Sequence, residues 1–195
     1  MIFDLDETLI HCNENCEMES NVVLPVKFPN GAIVQAGINL RPGIKECLKE
    51  LSKHYEIIVF TASHSCYANV VLNYLDPQNE FIQHKLSREN CVVTKEGLYI
   101  KDLRILKNRD LKDVLIVDNA AYSFGFQLEN GIPIFPFYKD KNDVELKNLT
   151  NYLLILKDVQ DLREINNEIF KMNKYCEFND PCDLIKSLYS DYFKS

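Results

Sequence analysis

The chain has no apolar run of about 18 residues, the least that a membrane-spanning helix needs. It has no surplus of basic charge. Its 22 Lys and Arg against 29 Asp and Glu leave a net charge of −7, which argues against the basic face of a nucleic-acid binder. No secretory leader is expected, because Asp4 and Asp6 interrupt the start. It has no even set of cysteines at framework spacing. The seven present are odd in number and scattered, so a reducing compartment is expected. What is there is an ordinary globular composition, 46% hydrophobic and 26% charged over 195 residues, enough to bury one good core.

The stretch Ile2-Phe3-Asp4-Leu5-Asp6-Glu7-Thr8-Leu9-Ile10 organises the rest. In an extended backbone, residues i, i+2 and i+4 share a face, so Asp4, Asp6 and Thr8 are expected together with Phe3, Leu5 and Leu9 opposite. Two carboxylates this close repel unless a cation or a shared proton intervenes. A hard divalent cation such as Mg²⁺ takes oxygen ligands and answers that need. The competing reading is an acidic N-cap before a helix, with Asp6 or Thr8 as the cap. A buried strand usually needs about five residues, and only Met1, Ile2 and Phe3 precede Asp4, so the natural chain is expected to begin earlier.

Strand and helix patterns then alternate. Val22 to Phe28 is β-rich, Pro29-Asn30-Gly31 is a turn signal, and Ala32 to Leu40 returns, which predicts a hairpin. A helix is expected from Arg41 through Lys53, with Pro42 in its first turn and Ile44, Cys47, Leu48 and Leu51 as its apolar stripe. Tyr55 to Phe60 reads as a buried parallel strand. It ends in Thr61-Ala62-Ser63, ahead of a helix over 64–75 whose amino end suits an anion. Thr61 or Ser63 also suits the role of N-cap. Phe81 to Leu86 and Cys91 to Ile100 read as extended. Val114 to Val117 is another apolar strand, ending in Asp118-Asn119. A last strand is expected over 132–135 and helices over 143–156 and 159–170. His11, Cys12 and Cys16 cluster, but zinc needs two further ligands at suitable spacing; loop or partly buried side chains are the better reading. Beyond these, Asn179-Asp180-Pro181 reads as a helix start, with Leu184, Ile185, Leu188 and Tyr192 at helical spacing. Strands alternating with helices give an α/β fold: a doubly wound, mostly parallel sheet with helices on both faces and a small β-hairpin insertion near the active site. The polar endings all fall at the carboxyl ends of strands, where such a sheet places its site.

Asp4-Leu5-Asp6-Glu7-Thr8-Leu9 resembles the first motif of the haloacid dehalogenase superfamily of aspartate-nucleophile phosphatases. Ile10-His11 narrows the resemblance to the branch that acts on the C-terminal domain of RNA polymerase II, the small C-terminal-domain phosphatases and NLI-interacting-factor-like proteins. "VFTAS" resembles the second motif, and Gly97 to Leu103 the third, with Lys101 in register. Val114 to Asn119 resembles the fourth. The chain departs from the small phosphatases at Arg104, where they carry serine. The resemblance covers about residues 1–170, a phosphatase domain with its β insertion at 22–40, and leaves 171–195 as a helical extension. It implies Asp4 as nucleophile, Asp6 as acid and base, and Thr61 and Lys101 as phosphate ligands. It implies Mg²⁺ held by Asp4, Asp6, Asp118 and Asn119. The substrate side falls to Thr8, Arg88 (in "SREN") and an apolar pocket of Val26, Phe28, Ile33 and Val34 on the hairpin, which otherwise only packs against the body.

The activity so implied is an Mg²⁺-dependent protein serine/threonine phosphatase. It works through an aspartyl phosphate, on phosphoserine of the RNA polymerase II C-terminal domain or a similar phosphopeptide. A nuclear or nucleocytoplasmic monomer is expected, with a phosphoserine or phosphothreonine segment as partner and no direct contact with nucleic acid. The insertion of about 20 residues is too small for a cap domain, and an open site suits a peptide. Two other classes remain: a catalytically weak protein-binding module of the same fold, and a small-metabolite phosphatase. A cysteine-dependent phosphatase is unsupported, since no Cys has an Arg six residues later.

Overall fold

The computed structural model describes residues 1–13 and 20–177. In chain order the elements are strands β1 (Ile2–Phe3), β2 (Ile10–Asn13), β3 (Val22–Lys27) and β4 (Ile33–Leu40), then helix α1 (Ile44–Leu51). Strand β5 (Ile57–Phe60), helix α2 (Ser65–Leu75) and strand β6 (Ile82–Leu86) follow. The chain continues through β7 (Val92–Val93), β8 (Tyr99–Ile100), β9 (Ile116–Asp118) and β10 (Gly131–Pro133), and on to α3 (Glu145–Leu156) and α4 (Leu162–Phe170).

Five strands form the central sheet in the order β10-β9-β1-β5-β6, and every neighbouring pair is parallel. The chain leaves β1 to one side for β5 and β6, then crosses to the other for β9 and β10. Winding therefore reverses at β1, and the doubly wound expectation holds. Alternation along each strand sorts its side chains between two cores. Phe3, Val59 and Val117 pack with α1, α2 and α3. Ile2, Ile58, Phe60 and Ile116 face the other way, onto Leu103, Phe124 and Met172. The second face is thus covered by short 3-10 helices, Leu103–Ile105, Ala121–Phe124 and Met172–Glu177, beside the end of α4. Gly131 is essential to that layer: a Cβ there would lie 2.0 Å from the Phe124 ring.

The insertion is larger than a hairpin. β2 joins it, giving a three-stranded antiparallel sheet in the order β2-β4-β3. The turn at Asn30-Gly31 closes as expected, with Gly31 at φ 86° and the Phe28 amide donating to Ala32 O at 2.8 Å. α1 starts later than its pattern predicts. Gly43 stands before it at φ 80°, so Pro42 lies outside the helix, while Ile44, Cys47, Leu48 and Leu51 form the buried stripe. Arg41 does not open a helix either. Its side chain is fully buried and donates to Asp143 through Nε (2.9 Å) and Nη2 (2.8 Å), to Thr8 O (3.0 Å) and to Phe135 O (2.9 Å). One guanidinium so pins the first motif's turn, the 135–143 loop and the start of α1 together. His11 and Cys12 lie in β2, partly buried. Cys16 and the helix expected after Asn179 fall outside the described residues.

Candidate active site

β1 delivers the site. Its residues Ile2 and Phe3 pair with Ile58 and Val59 on one side and Ile116 and Val117 on the other. Asp4, the next residue, therefore emerges between Thr61, just past β5, and Asp118, the last residue of β9. The chain then turns. Leu9 and Ile10 amides donate to Leu5 O at 2.9 and 3.0 Å, and Glu7 sits in the left-handed region at φ 59°. Because the backbone is not extended past Asp6, Thr8 does not share the face of the two aspartates. It is fully buried, and its hydroxyl donates to Asn119 Oδ1 at 3.3 Å. Thr8 thus orients Asn119 and is inaccessible to a substrate.

Lys101 enters from the end of β8, its amide anchored on Ser123 O at 2.6 Å. Its ammonium is buried and bridges Asp4 Oδ1 at 2.5 Å and Asp118 Oδ2 at 2.7 Å. Asp118 is held further by the Ser123 hydroxyl (2.5 Å) and the Ala120 amide (2.8 Å). Burial pushes the Asp4 carboxyl up to about 7; Lys101 opposes that rise and Asp118 adds to it. Burial works to lower the Lys101 ammonium, but Asp4 and Asp118 outweigh it, so it stays above its ordinary value and charged. Asp6 points elsewhere. Its Oδ2 accepts from Ser63 Oγ (2.7 Å) and Thr61 Oγ1 (3.3 Å), and its Oδ1 from Tyr67 Oη (2.7 Å). Burial, then the Asp6 carboxylate, raises the Tyr67 phenol far above the ordinary range, which keeps it a donor.

These groups line an open cleft of about 290 Å³, with Arg88, Tyr99 and Tyr122 at its walls. Arg88 donates from Nε to Ala62 O at 2.7 Å and stacks over the Tyr99 ring at 4.9 Å. A larger cavity of about 780 Å³, near Asn39 and Lys139, contains none of the four motifs. The motif side chains line the smaller cleft. Of the expected apolar pocket, nothing lines that cleft. Val26 is buried in the main core, and Ile33 and Val34 are exposed on β4. Phe28 packs on the core edge against His64, ring centroids 6.4 Å apart. His64, rather than Thr61 or Ser63, caps α2 by accepting from the Cys66 amide.

The donor set suits a hard cation: three carboxylates and the Asn119 amide, all oxygen donors, line the cleft. Among the described residues, no three His, Cys, Asp or Glu side chains are gathered as a ready metal site. Lys101 bridges two of the carboxylates, and hydroxyls hold the third. The oxygen-donor chemistry of these residues fits Mg²⁺.

Residues 1–163 match the family model described as NLI interacting factor-like phosphatase. The chain belongs to that family. It is 43% identical over 172 residues to "CTD small phosphatase-like protein 2" of Dictyostelium discoideum, covering 88% of this chain and 30% of the relative. It is 41% identical over 179 residues to "CTD small phosphatase-like protein 3" of Caenorhabditis elegans, covering 91% and 61%. The human "Carboxy-terminal domain RNA polymerase II polypeptide A small phosphatase 1" shares 34% over 165 residues, covering 85% and 62%. The chain thus spans less than two thirds of each of these relatives. The fold matches the fission yeast RNA polymerase II CTD phosphatase Fcp1 bound to beryllium fluoride, at a TM-score of 0.60 and 21% identity. That match covers 87% of this chain and 54% of that one.

Three residues of this family member's site escaped the sequence reading: Tyr67, Ser123 and Arg41. Tyr67 carries a usable signal. It lies in the first turn of the helix that follows the polar strand end Thr61-Ala62-Ser63, beside the site. Ser123 lies on a 3-10 turn, where no periodicity marks it.

Proposed function

We propose that this domain is an Mg²⁺-dependent phosphoprotein phosphatase that cleaves phosphoserine or phosphothreonine through an aspartyl phosphate on Asp4. The observation that carries the reading is Asp4 itself, a buried carboxylate at the mouth of a cleft, bonded on one oxygen by a buried ammonium. Lys101 counters the burial that raises the Asp4 carboxyl and would neutralise an incoming phosphoryl oxygen. Asp4 attacks phosphorus, and the bond to the serine oxygen breaks. Asp6 gives its proton to that leaving oxygen, then takes one from water as the water oxygen attacks phosphorus and frees Asp4. Thr61 and Lys101 hold the phosphoryl oxygens throughout. Bound to Asp4, Asp6, Asp118 and Asn119, Mg²⁺ would supply Lewis-acid stabilisation of the phosphoryl charge.

The open cleft supports a peptide segment as substrate, and Arg88 at its wall suits an acidic group on it. The printed names of the relatives extend this to the RNA polymerase II C-terminal domain, and with it to a nuclear or nucleocytoplasmic setting. Amide variants test the division of labour. Asp4→Asn removes the nucleophile, so no phosphoenzyme forms on any substrate. Asp6→Asn keeps it but loses the acid, so phosphopeptide turnover falls by roughly 10²–10⁴-fold. With p-nitrophenyl phosphate, whose leaving group needs no proton, Asp6→Asn should show a burst and then a stall. Parent-like turnover of both substrates by Asp6→Asn, or label on Asp6 after borohydride trapping, would refute the assignment.

A further inference from the structure

The side chains that line the cleft are nearly all engaged with one another. Ion pairs and hydroxyl bonds hold the three aspartates and Lys101. Glu7 is bonded to His11 and Asn119 to Thr8, and the Arg88 guanidinium covers the Tyr99 ring. Tyr122 also lines the cleft, and it is 56% exposed. Among the described residues, it is the cleft side chain beyond alanine that no hydrogen bond, ion pair or ring contact engages.

Its place is nevertheless fixed. Tyr122 lies in the 3-10 turn Ala121–Phe124 that follows β9. Ser123, the next residue, accepts from the Lys101 amide at 2.6 Å and donates its hydroxyl to Asp118. The Ser123 amide donates to Ala120 O at 2.9 Å, and the Gly125 amide to Tyr122 O at 3.1 Å. The backbone under the ring is tied to the partners of Asp4, while the ring itself is open to whatever enters. A lone exposed aromatic on a surface needs no explanation. An unengaged ring on a rigid turn inside the cleft offers a large amphipathic contact at little cost in conformational entropy.

We propose that Tyr122 is a specificity residue that reads the neighbour of the phosphoserine, seating a proline or aromatic ring of the peptide against its face. The inference deepens the phosphopeptide reading and rests on it. The cleft of about 290 Å³ is at the small end for a ligand site, and adjacent residues of an extended peptide lie about 3.3–3.6 Å apart. A ring that shares this cleft with Asp4 therefore meets the immediate neighbour. Arg88 and Lys101 stand in the same cleft and count against a basic neighbour, and the carboxylates count against an acidic one. An uncharged, flat side chain is the fit that remains, and it makes the most contact with a phenol face.

The test is a panel of phosphoserine peptides with Phe, Pro, Ala, Lys or Glu beside the phosphoserine, on either side, assayed with Mg²⁺. In the parent protein, a ring at one of these positions should raise kcat/KM about two- to tenfold over Ala, the range of one aromatic contact. Tyr122→Ala should bring that ratio to about one, the loss falling on the ring-flanked peptides. Tyr122→Phe should keep the ratio, because the face makes the contact. Phe126→Ala removes an exposed ring just past the same turn but outside the cleft, and it should keep the ratio too. Equal losses on ring- and Ala-flanked peptides would make Tyr122 a support for the turn under Lys101 and overturn its reading role. Loss of the ratio in Tyr122→Phe or in Phe126→Ala would move the contact to the hydroxyl or to the second ring, and overturn it as well. So would a parent preference for Lys or Glu, no preference at all, or a ring preference that survives Tyr122→Ala. All of these leave the phosphatase reading standing. Hydrolysis of p-nitrophenyl phosphate but of no phosphopeptide would sink the peptide reading, and this inference with it.

Discussion

Among the described residues, Lys101 is the ammonium in direct contact with Asp4 and Asp118, and it is 2% exposed. Burial is the main cause of the rise of Asp4 to about 7, with the Asp118 and Asp6 charges adding to it and Lys101 opposing it. The rise has a consequence for stability with a definite sign. An acid whose folded value lies above its unfolded one stabilises the fold below the unfolded value and stops doing so as pH climbs through the folded one. The metal-free protein should therefore lose thermal stability between about pH 4 and pH 7. Carboxylates held low, such as Glu89 at about 2 through the Ser87 hydroxyl, have finished titrating by pH 5 and do not mask the slope. Calorimetry in EDTA should show Tm falling from pH 5 to 7.5. Asp4→Asn should flatten that fall, and Mg²⁺ should raise Tm more at pH 7.5 than at pH 5. A flat profile in the parent protein would rule out burial as the cause of the Asp4 shift.

At the scale of elements, Arg41 decides whether the site has a frame. Its guanidinium holds Asp143 and two carbonyls from separate segments, one of them the Thr8 carbonyl in the turn after Asp6. Arg41→Met leaves Asp143 without its partner, and breaking a buried pair costs about 3–5 kcal/mol. Urea unfolding should show that loss, and Arg41→Lys should recover only part of it, because a point ammonium cannot span three acceptors. Arg41 also marks where the sequence ceased to be legible. The strands β1, β5 and β9 announce themselves as continuous apolar runs ending in polar residues, so Asp4, Thr61 and Asp118 were readable with their neighbours. Lys101 was readable only by resemblance, since β8 is two residues long. Arg41 was invisible, because a charged residue before Pro-Gly looks like a solvated helix start, and only the loop returning 102 residues later at Asp143 explains its burial. β2 was missed because Ile10–Asn13 has no alternation of its own and gains its strand character by pairing with β4. Thr8 was misjudged for a related reason: the period-two rule presumes an extended chain, and the chain turns at Glu7.

The β insertion raises a question at the same scale. Val26 is spent in the core, and Phe28 alone of the four apolar candidates is close to the cleft, through His64 next to Ser63. Phe28→Ala should raise KM for a phosphopeptide and leave p-nitrophenyl phosphate nearly untouched if the insertion reads a residue beside the phosphoserine. Equal losses on the two substrates would make Phe28 a packing residue only.

The whole molecule is acidic, at −7, and its cleft gathers Asp4, Asp6 and Asp118 where a phosphate dianion has to enter. Long-range attraction therefore works against the substrate, and the site needs cationic help at short range. Lys101 supplies one charge, and its position is fixed by two carboxylates that already consume it. Arg88 adds a second charge at the cleft wall, and a hard divalent cation is a further source, its size set by its oxygen ligands. Mg²⁺ demands compact octahedral oxygen ligation at about 2.1 Å, whereas Ca²⁺ takes more ligands at about 2.4 Å. In the proposed mechanism, a larger ion would push the phosphoryl group away from the attacking Asp4 oxygen. EDTA should abolish turnover of phosphopeptide and p-nitrophenyl phosphate alike, Mg²⁺ should restore both, and Ca²⁺ should restore little while competing with Mg²⁺. Full activity in EDTA would remove the metal from the reaction. With Mg²⁺ present, phosphoserine peptides should inhibit p-nitrophenyl phosphate hydrolysis at lower concentrations than sugar phosphates, because the open cleft leaves room for flanking residues along Arg88 and Tyr99. The opposite ranking would make the domain a small-metabolite phosphatase.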